Sequence, residues 1–579
     1  MSTGNQVKTR SDRVASVQLP PGRTARLLYY LRRRGVLLRI VMCLAAAVLV
    51  WAVMGAWAPP FPYRSGYIPP RDIASRVSFN VPNEQQQTDT YEPHDKLAEG
   101  GRPLSTVPDI RVLYAEHVAF NSQRSVWEMS AYSLASFGIY VGLYFLCGCY
   151  LFSHHPGIVR DLRKLATILA AVAVTAVLSV VVSRYGWRAE CVPLVLFGMT
   201  LVVAHNRELA LLLSVAVALV ITLGLGQGLG EFVILSAAVA GPIFMLNRVR
   251  SRTKLIYVGL GGGLVAFLTA VAVGTLAGQA FGFPHATPLS PGDGAEAFSR
   301  TAFAIRLVSG AAFFGGCVLL AGFLMTGLLP FIERLFDVQT DISLLELGDA
   351  AHPLLQKLSQ HAPGTYNHSI SVAALAETAA EAIGANGLLT RVGGYFHDIG
   401  KILKPAYFVE NQREKASQHE SLMPAMSTLV IIAHVKDGSD LARQHRLPKS
   451  IVDFVEQHHG TTLVEYFYRQ AEKRRDEDPN GGEVDETSYR YPGPKPQNRE
   501  TAVMMLADAA EGACRTLVEP TPARIDSLVH EMAMKRLLDG QFEECGLTLK
   551  ELNTVEESLA KSLTAVYHGR IKYPDQQTA

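Results

Sequence analysis

Eight apolar runs fill most of the chain between residues 40 and 329: Ile40–Ala58, Met129–Phe152, Leu165–Ser183, Cys191–Ala204, Leu209–Leu225, Phe232–Leu246, Leu255–Gly278 and Leu307–Leu329. Most are long enough to cross a bilayer as helices, and Cys191–Ala204 and Phe232–Leu246 are short for it. Charged residues make up only 18% of the 579 and collect in the two flanks of this region. Composition thus predicts a membrane domain carrying polar segments at its ends.

Basic residues orient the spans. Arg32-Arg33-Arg34 precede the first run, which keeps the N-terminal tail in the cytoplasm. Alternation then puts Arg160, Arg163 and Lys164, after the second run, on the cytoplasmic side, together with Arg248, Arg250, Arg252 and Lys254, after the sixth. Eight crossings return the C-terminal half to the cytoplasm. Cleavage at Ala56-Trp57-Ala58 would make the first run a signal peptide, but a basic region of about three dozen residues is too long for that. Expected boundaries are a basic tail over 1–39, a first span over 40–58, an extracytoplasmic segment over 59–128, seven further helices over 129–330, a helical connector over 331–360 and a cytoplasmic domain over 361–579.

The external segment is polar, with Gln85-Gln86-Gln87 and Gly100-Gly101, and its few large apolar residues do not predict a core. A partly ordered loop and a ligand-binding domain are both open readings. None of the seven cysteines has disulfide or zinc spacing. A net charge of +2 gives no electrostatic case for a nucleic acid polymer.

Residues 331–579 read as helical, with no alternating strand pattern. Gly384 is placed to cap a helix over Val372–Ile383. Glu472–Gln497, charged and rich in Pro and Gly, reads as a mobile loop or insertion. His368, His397-Asp398, His434, His458-His459 and Asp508 stand on otherwise apolar, helix-like segments. Imidazoles and carboxylates of this kind suit divalent metal ions, and two ions sharing a carboxylate hydrolyse phosphate esters. A helix breaking at Gly400 would end near His397-Asp398, and another would end before His458-His459-Gly460, where adjacent residues converge most easily on one point. Asp508, in Val503-Met504-Met505-Leu506-Ala507, needs a partner wherever it is buried. His352, His361, His419, His445 and His530 read as ordinary core or surface residues.

These residues resemble the H…HD…H…HH…D signature of the HD phosphohydrolase superfamily. Pro363-Gly364-Thr365-Tyr366-Asn367-His368-Ser369 is similar to its first-ligand motif. Lys404–Gln412, Ile432–Gly438, Gln457-His458-His459-Gly460-Thr461 and Tyr491-Pro492-Gly493-Pro494-Lys495-Pro496 resemble the membrane-anchored branch with seven spans before the HD domain, the PgpH-type cyclic di-AMP phosphodiesterases. The resemblance implies an all-α fold, a multi-span helical membrane domain followed by an all-helical HD domain with two iron or manganese ions. It implies that His368, His397, Asp398 and Asp508 bind the first ion, and that Asp398 bridges to a second completed by His434, His458 and His459. Two features depart from the family. Tyr63–Phe79 resembles only the start of its large external domain, and Asn367 stands where many relatives carry a second histidine.

The activity so implied is hydrolysis of cyclic di-AMP to linear pApA by a hydroxide bridging the metals, at the cytoplasmic (inner) membrane. Lys401 is the candidate for neutralising phosphate charge, and Tyr407, Asn411 and Arg499 are candidates for base or phosphate contacts. Expected partners are a cyclic dinucleotide and membrane lipid, with a homo-oligomer open. Rival readings are a phosphodiesterase for cyclic di-GMP or another nucleotide, and a nucleotide-binding receptor without turnover. After His459 comes Gly460-Thr461-Thr462-Leu463, without the Gly-Tyr-Pro of relatives acting on cyclic di-GMP.

Overall fold

The computed structural model describes residues 34–82, 88–184, 188–281, 300–412, 418–477 and 483–568. The chain divides into two compact units, residues 1–247 with 252–336, and residues 248–251 with 337–579. Helices dominate both.

In the first unit, α1 (Arg34–Val53) leads to a small segment holding β1 (Ile73–Ala74), β2 (Phe79–Pro82), β3 (Thr88–Tyr91), β4 (Lys96–Ala98) and α2 (Arg111–Ser122). Then follow α3 (Val126–His154), the short α4 (Pro156–Arg160), α5 (Leu162–Arg184), α6 (Cys191–Ala204), α7 (Arg207–Gly224), α8 (Leu229–Met245), α9 (Arg252–Ala277) and α10 (Arg300–Phe336). Six of these helices are long and apolar enough to cross a membrane, and α6 and α8 are apolar but shorter. The first helix starts six residues before the apolar run and stops at Val53, five before its end. The last runs past Leu329 to Phe336, through Pro330.

The segment between α1 and α3 has a core, which its composition did not lead one to expect. β1 pairs antiparallel with β4, and β2 with β3. Phe79, Val81, Leu97, Leu104, Val112 and Leu113 are buried together, with the Phe79 and Tyr91 rings stacked 5.1 Å apart. Arg76 donates to both oxygens of the buried Glu116, each at 2.8 Å. The strands are two to four residues long, so the alternation of Phe79 and Val81 is too brief to register as a pattern. The stretch Glu84–Gln87 lies outside the described residues.

The second unit comprises α11 (Asp341–Leu347), α12 (Pro353–His361), α13 (Pro363–Ala382), α14 (Gly387–Phe396), α15 (Pro424–Gln444), α16 (Lys449–Gln457), α17 (Glu465–Glu477), α18 (Arg499–Arg515), α19 (Pro522–Leu538) and α20 (Leu549–His568). Among its described residues the only strand-like pairing is the bridge Leu463–Arg490. Ala-rich α13 buries Val372, Leu375, Ala376 and Ala379 against Val503 and Leu506 of α18, Val529 of α19 and Val555 and Leu559 of α20. Small residues allow close helix approach. A second cluster joins α11, α12, α14 and α16 through Leu344, Leu354, Leu358, Phe396, Ile399 and Ile451. α13 ends with Gly384 at φ +68°, and the Gly384 and Ala385 amides close onto Glu381 and Ala380.

Two local expectations are corrected. α14 stops at Phe396, before the HD pair, and a 3-10 turn over Ile399–Leu403 follows. Gly400 does not serve as a left-handed break. It serves close approach, since a Cβ there would stand 1.9 Å from the His434 carbonyl oxygen and 2.5 Å from the Gly438 nitrogen on α15. The Glu472–Gln497 stretch is also more ordered than its charge suggested. α17 continues to Glu477, anchored by buried Phe467 and Ala471, and Tyr489 and Tyr491 are buried beyond residues 478–482, which lie outside the described set.

Candidate metal centre

Five elements deliver seven side chains to one buried spot. His368 comes from the second turn of α13, and His397 and Asp398 directly follow α14. His434 projects from the middle of α15, His458 and His459 follow α16, and Asp508 sits on α18. Their ligand-type atoms form two groups, Asp398 with His434, His458 and His459, and His368 with His397 and Asp508, each within 4.8 Å. The Asp398 carboxylate stands at the joint. Its Oδ2 is 3.3 Å from His397 Nε2 and 3.8 Å from His368 Nε2, while its Oδ1 is 3.4 Å from His434 Nε2 and 3.6 Å from His458 Nε2.

Four imidazoles are held from behind. The Nδ1–H of His397 donates to the Gly394 carbonyl (2.8 Å), that of His434 to Ile431 (2.6 Å), that of His458 to Val455 (3.0 Å), and that of His368 to the Glu511 carboxylate (2.7 Å). Each ring therefore presents Nε2 to the centre, the arrangement that metal-ligating histidines adopt. A neutral imidazole whose Nδ1 donates carries a lone pair on Nε2. The Nε2 atoms of His434 and His458 face each other at 3.3 Å, an approach that repels without a cation beside it. His397 Nε2 and Asp398 Oδ1 are buried with no hydrogen-bond partner. Orphaned polar atoms are costly inside a protein, and here they converge. The donor set, neutral nitrogens around carboxylates, fits divalent ions of the borderline class.

Electrostatics agree with a cation site. Burial disfavours the Asp398 carboxylate, but Lys401 and His397 outweigh it and hold its pKa well below the usual range. Burial likewise opposes a charged His397 or His368, yet Asp398 for the first and Asp508 and Glu511 for the second raise them to about 10 and about 9. Protons thus take the places that a metal ion's charge would fill. His434, by burial, is pushed down to about 3.

Lys401 is close to this centre but already engaged: its Nζ is 2.7 Å from Asp398 Oδ2 and 3.0 Å from Glu410 Oε1. Burial opposes its charge, and those two carboxylates raise its pKa, so it stays protonated. Asn411 is turned to α13, accepting from the Thr365 amide (3.2 Å) and donating to its hydroxyl (2.9 Å). Tyr407 packs on His419, and the next residue, Phe408, reaches the site with its ring 5.7 Å from that of His434. Arg499 is not brought to the centre. It pairs with Glu551 at 2.8 Å, nine residues or about 13 Å along α18 from Asp508. The discounted histidines stay outside both groups; His352 caps α12 and His530 pairs with Glu556.

Sequence reading assigned no role to Glu511, Glu410 or Tyr491, although the last two lie in segments that carry the family resemblance. Glu511 is one helical turn beyond Asp508, which was a usable signal, since positions three apart share a face. Tyr491 lies with its ring 4.3 Å from that of His459, and nothing in its local sequence marks that contact.

Residues 365–513 match the family model of the HD domain, and residues 131–340 match that of the 7TM receptor with intracellular HD hydrolase. The cyclic-di-AMP phosphodiesterase PgpH of Bacillus subtilis is 38% identical over 392 residues, covering 66% of this chain and 51% of the relative. Its namesake from Listeria monocytogenes is 44% identical over 268 residues, covering 46% of this chain and 36% of the relative. The chain thus spans about half, or less, of the length of these relatives. The crystal structure of the L. monocytogenes PgpH HD domain in complex with cyclic-di-AMP is 46% identical and aligns over 38% of this chain and 100% of that one, with a TM-score of 0.36. With a stretch matching the seven-transmembrane HD model ahead of a matching HD domain, this multi-span, otherwise helical chain is similar to the PgpH proteins in both regions.

Proposed function

We propose that the chain is a membrane-bound, metal-dependent phosphodiesterase that hydrolyses cyclic di-AMP to linear pApA. The observation that carries this reading is the pair of ligand groups meeting at Asp398, whose two oxygens face different histidine sets. The names of the two PgpH relatives support the choice of substrate.

His368, His397, Asp398 and Asp508 would hold one divalent ion, and Asp398, His434, His458 and His459 a second, iron or manganese. Bound there, the pair of ions supplies an activated water and electrophilic stabilisation of the phosphate oxygens and the leaving oxygen. The protein's part is positional. The carbonyls of Gly394, Ile431 and Val455 and the Glu511 carboxylate fix the imidazole rings before substrate arrives. Lys401, held by Asp398 and Glu410, contributes a fixed positive charge toward a phosphate that gains negative charge in the transition state. Burial of the centre keeps these charges effective.

The membrane topology completes the proposal: eight spans, both termini cytoplasmic, residues 60–128 outside the inner membrane. The basic loops around Arg160–Lys164 and Arg248–Lys254 support it. Reporter fusions after residue 90 and at the C-terminus test this, and an externally active C-terminal reporter overturns it. For the chemistry, the detergent-solubilised full chain is incubated with manganese and, separately, cyclic di-AMP, cyclic di-GMP and guanosine tetraphosphate, and products are separated by chromatography. Appearance of pApA from the first alone supports the reading. Preferential cleavage of another nucleotide refutes the substrate, and tight binding without any product refutes the enzyme.

A further inference from the structure

Arg536 lies in the last turn of α19, outside every group named so far. Its Nε is shut off from solvent and has no hydrogen-bond partner, and among the described residues its guanidinium forms no ion pair. The acids around it are each taken by another base. Asp539 pairs with Arg490 at 3.0 Å, Glu465 with Lys535 and Arg469, and Asp508 with His368 at 2.9 Å. The residue as a whole is part-exposed, so its other nitrogens stay open to solvent, and a guanidinium with no acid bound to it can receive an arriving anion.

The position is tied to the metal centre. The Gln541 amide donates to the Arg536 carbonyl (3.0 Å), and the Gln541 side chain holds the Thr461 amide (3.0 Å) and hydroxyl (2.9 Å), two residues beyond His459. Asp508 and Tyr491, the tyrosine packed on His459, both lie within the electrostatic reach of Arg536. Lys401 has different neighbours, Asp398, Glu410 and Phe408. Beside Lys401, which is bound into the ligand network, Arg536 is a second cation within electrostatic reach of the centre, and among the described residues it has no ion-pair partner.

A cyclic dinucleotide carries two phosphodiesters, and a single dinuclear centre cleaves one at a time. The other is an anion that must be held away from the metals. We propose that Arg536 is the substrate-binding residue that receives the phosphate not being cleaved, an assignment that rests on the phosphodiesterase reading above. Its planar fork suits two phosphate oxygens at once. Recognition of both phosphates favours a cyclic dinucleotide over a nucleotide with only one.

The test compares the wild-type full chain with Arg536→Gln and Arg536→Lys in detergent. Metal content and melting temperature are measured first, then steady-state kinetics with cyclic di-AMP and competition by AMP. Loss of charge-assisted hydrogen bonds predicts a rise in KM of about tenfold to a hundredfold for Arg536→Gln, with the loss in KM rather than kcat and with two metals retained. AMP, having one phosphate, loses much less affinity than cyclic di-AMP. Arg536→Lys recovers part of the loss, because it keeps the charge without the fork. An unchanged KM in Arg536→Gln overturns the assignment, as does an equal loss for AMP or a loss of metal that accounts for the change. If the wild type cleaves cyclic di-AMP and the variant matches it, only this assignment falls. If the wild type neither binds nor cleaves a cyclic dinucleotide, the phosphodiesterase reading falls and takes this one with it.

Discussion

Replacing Glu511 by glutamine isolates the contribution of a residue that touches no metal. Its carboxylate is 5% exposed; one oxygen accepts the Nδ1–H of His368 at 2.7 Å, and the other accepts from Arg515 Nε at 2.7 Å. Glutamine keeps the volume but loses the charge, and its amide nitrogen must face one of two donors. A hydrogen bond to a charged group is worth roughly 1.5–3 kcal/mol. Loss of a partner behind a metal-ligating histidine costs about tenfold to a hundredfold in metal affinity, or ~1.4–2.7 kcal/mol, so the two estimates agree. Titration of metal-stripped protein with manganese, in competition with a chelator, should show one of two sites weakened by that factor. The second site, built on His434, His458 and His459, should change little. A variant that melts like the wild type and binds both ions with wild-type affinity would refute the idea that Glu511 holds His368 for a metal.

Asp398→Ala should lower the content of both ions and abolish cleavage, because its two oxygens face both groups; Lys401→Ala should keep both ions and slow turnover by on the order of a hundredfold. Elemental analysis beside kinetics distinguishes them, and a fully metallated, active Asp398→Ala would defeat the dinuclear assignment. Gly400→Ala pushes a methyl into the His434 carbonyl and should destabilise the second unit by on the order of 3 kcal/mol, read as a lowered melting transition. The segment between α1 and α3 should loosen in acid. Burial alone would raise the pKa of Glu116, but the Arg76 hydrogen bonds outweigh it and lower it, so its stabilisation is complete above about pH 4.3 and is lost as pH falls through the depressed folded value. Hydrogen exchange of residues 73–82 and 111–122 should quicken there in the wild type and be fast at neutral pH in Glu116→Gln.

Apolar runs, basic loops and ligand residues could be read without coordinates, because each depends on chemistry stated locally. A twenty-residue apolar stretch must be a helix in lipid whatever surrounds it. His397-Asp398 and His458-His459 sit at helix ends in the structure as their spacing implied, although α14 stopped before Gly400 rather than at it. What the tertiary structure decided was which groups stand behind and around those ligands. Glu511, Glu410 and Tyr491 reach the centre from 13 to 114 residues along the chain from His397, and Arg499, chosen from sequence, is carried away from it. Gly400 was read as a helix stop, but its requirement is the carbonyl of His434, which only the packing of α15 supplies. The small core around Phe79 and Leu113 escaped notice for the same reason. Its strands are too short for periodicity, so only three-dimensional contact makes them a core: local sequence sets the chemistry that each residue brings, and packing sets which chemistries meet.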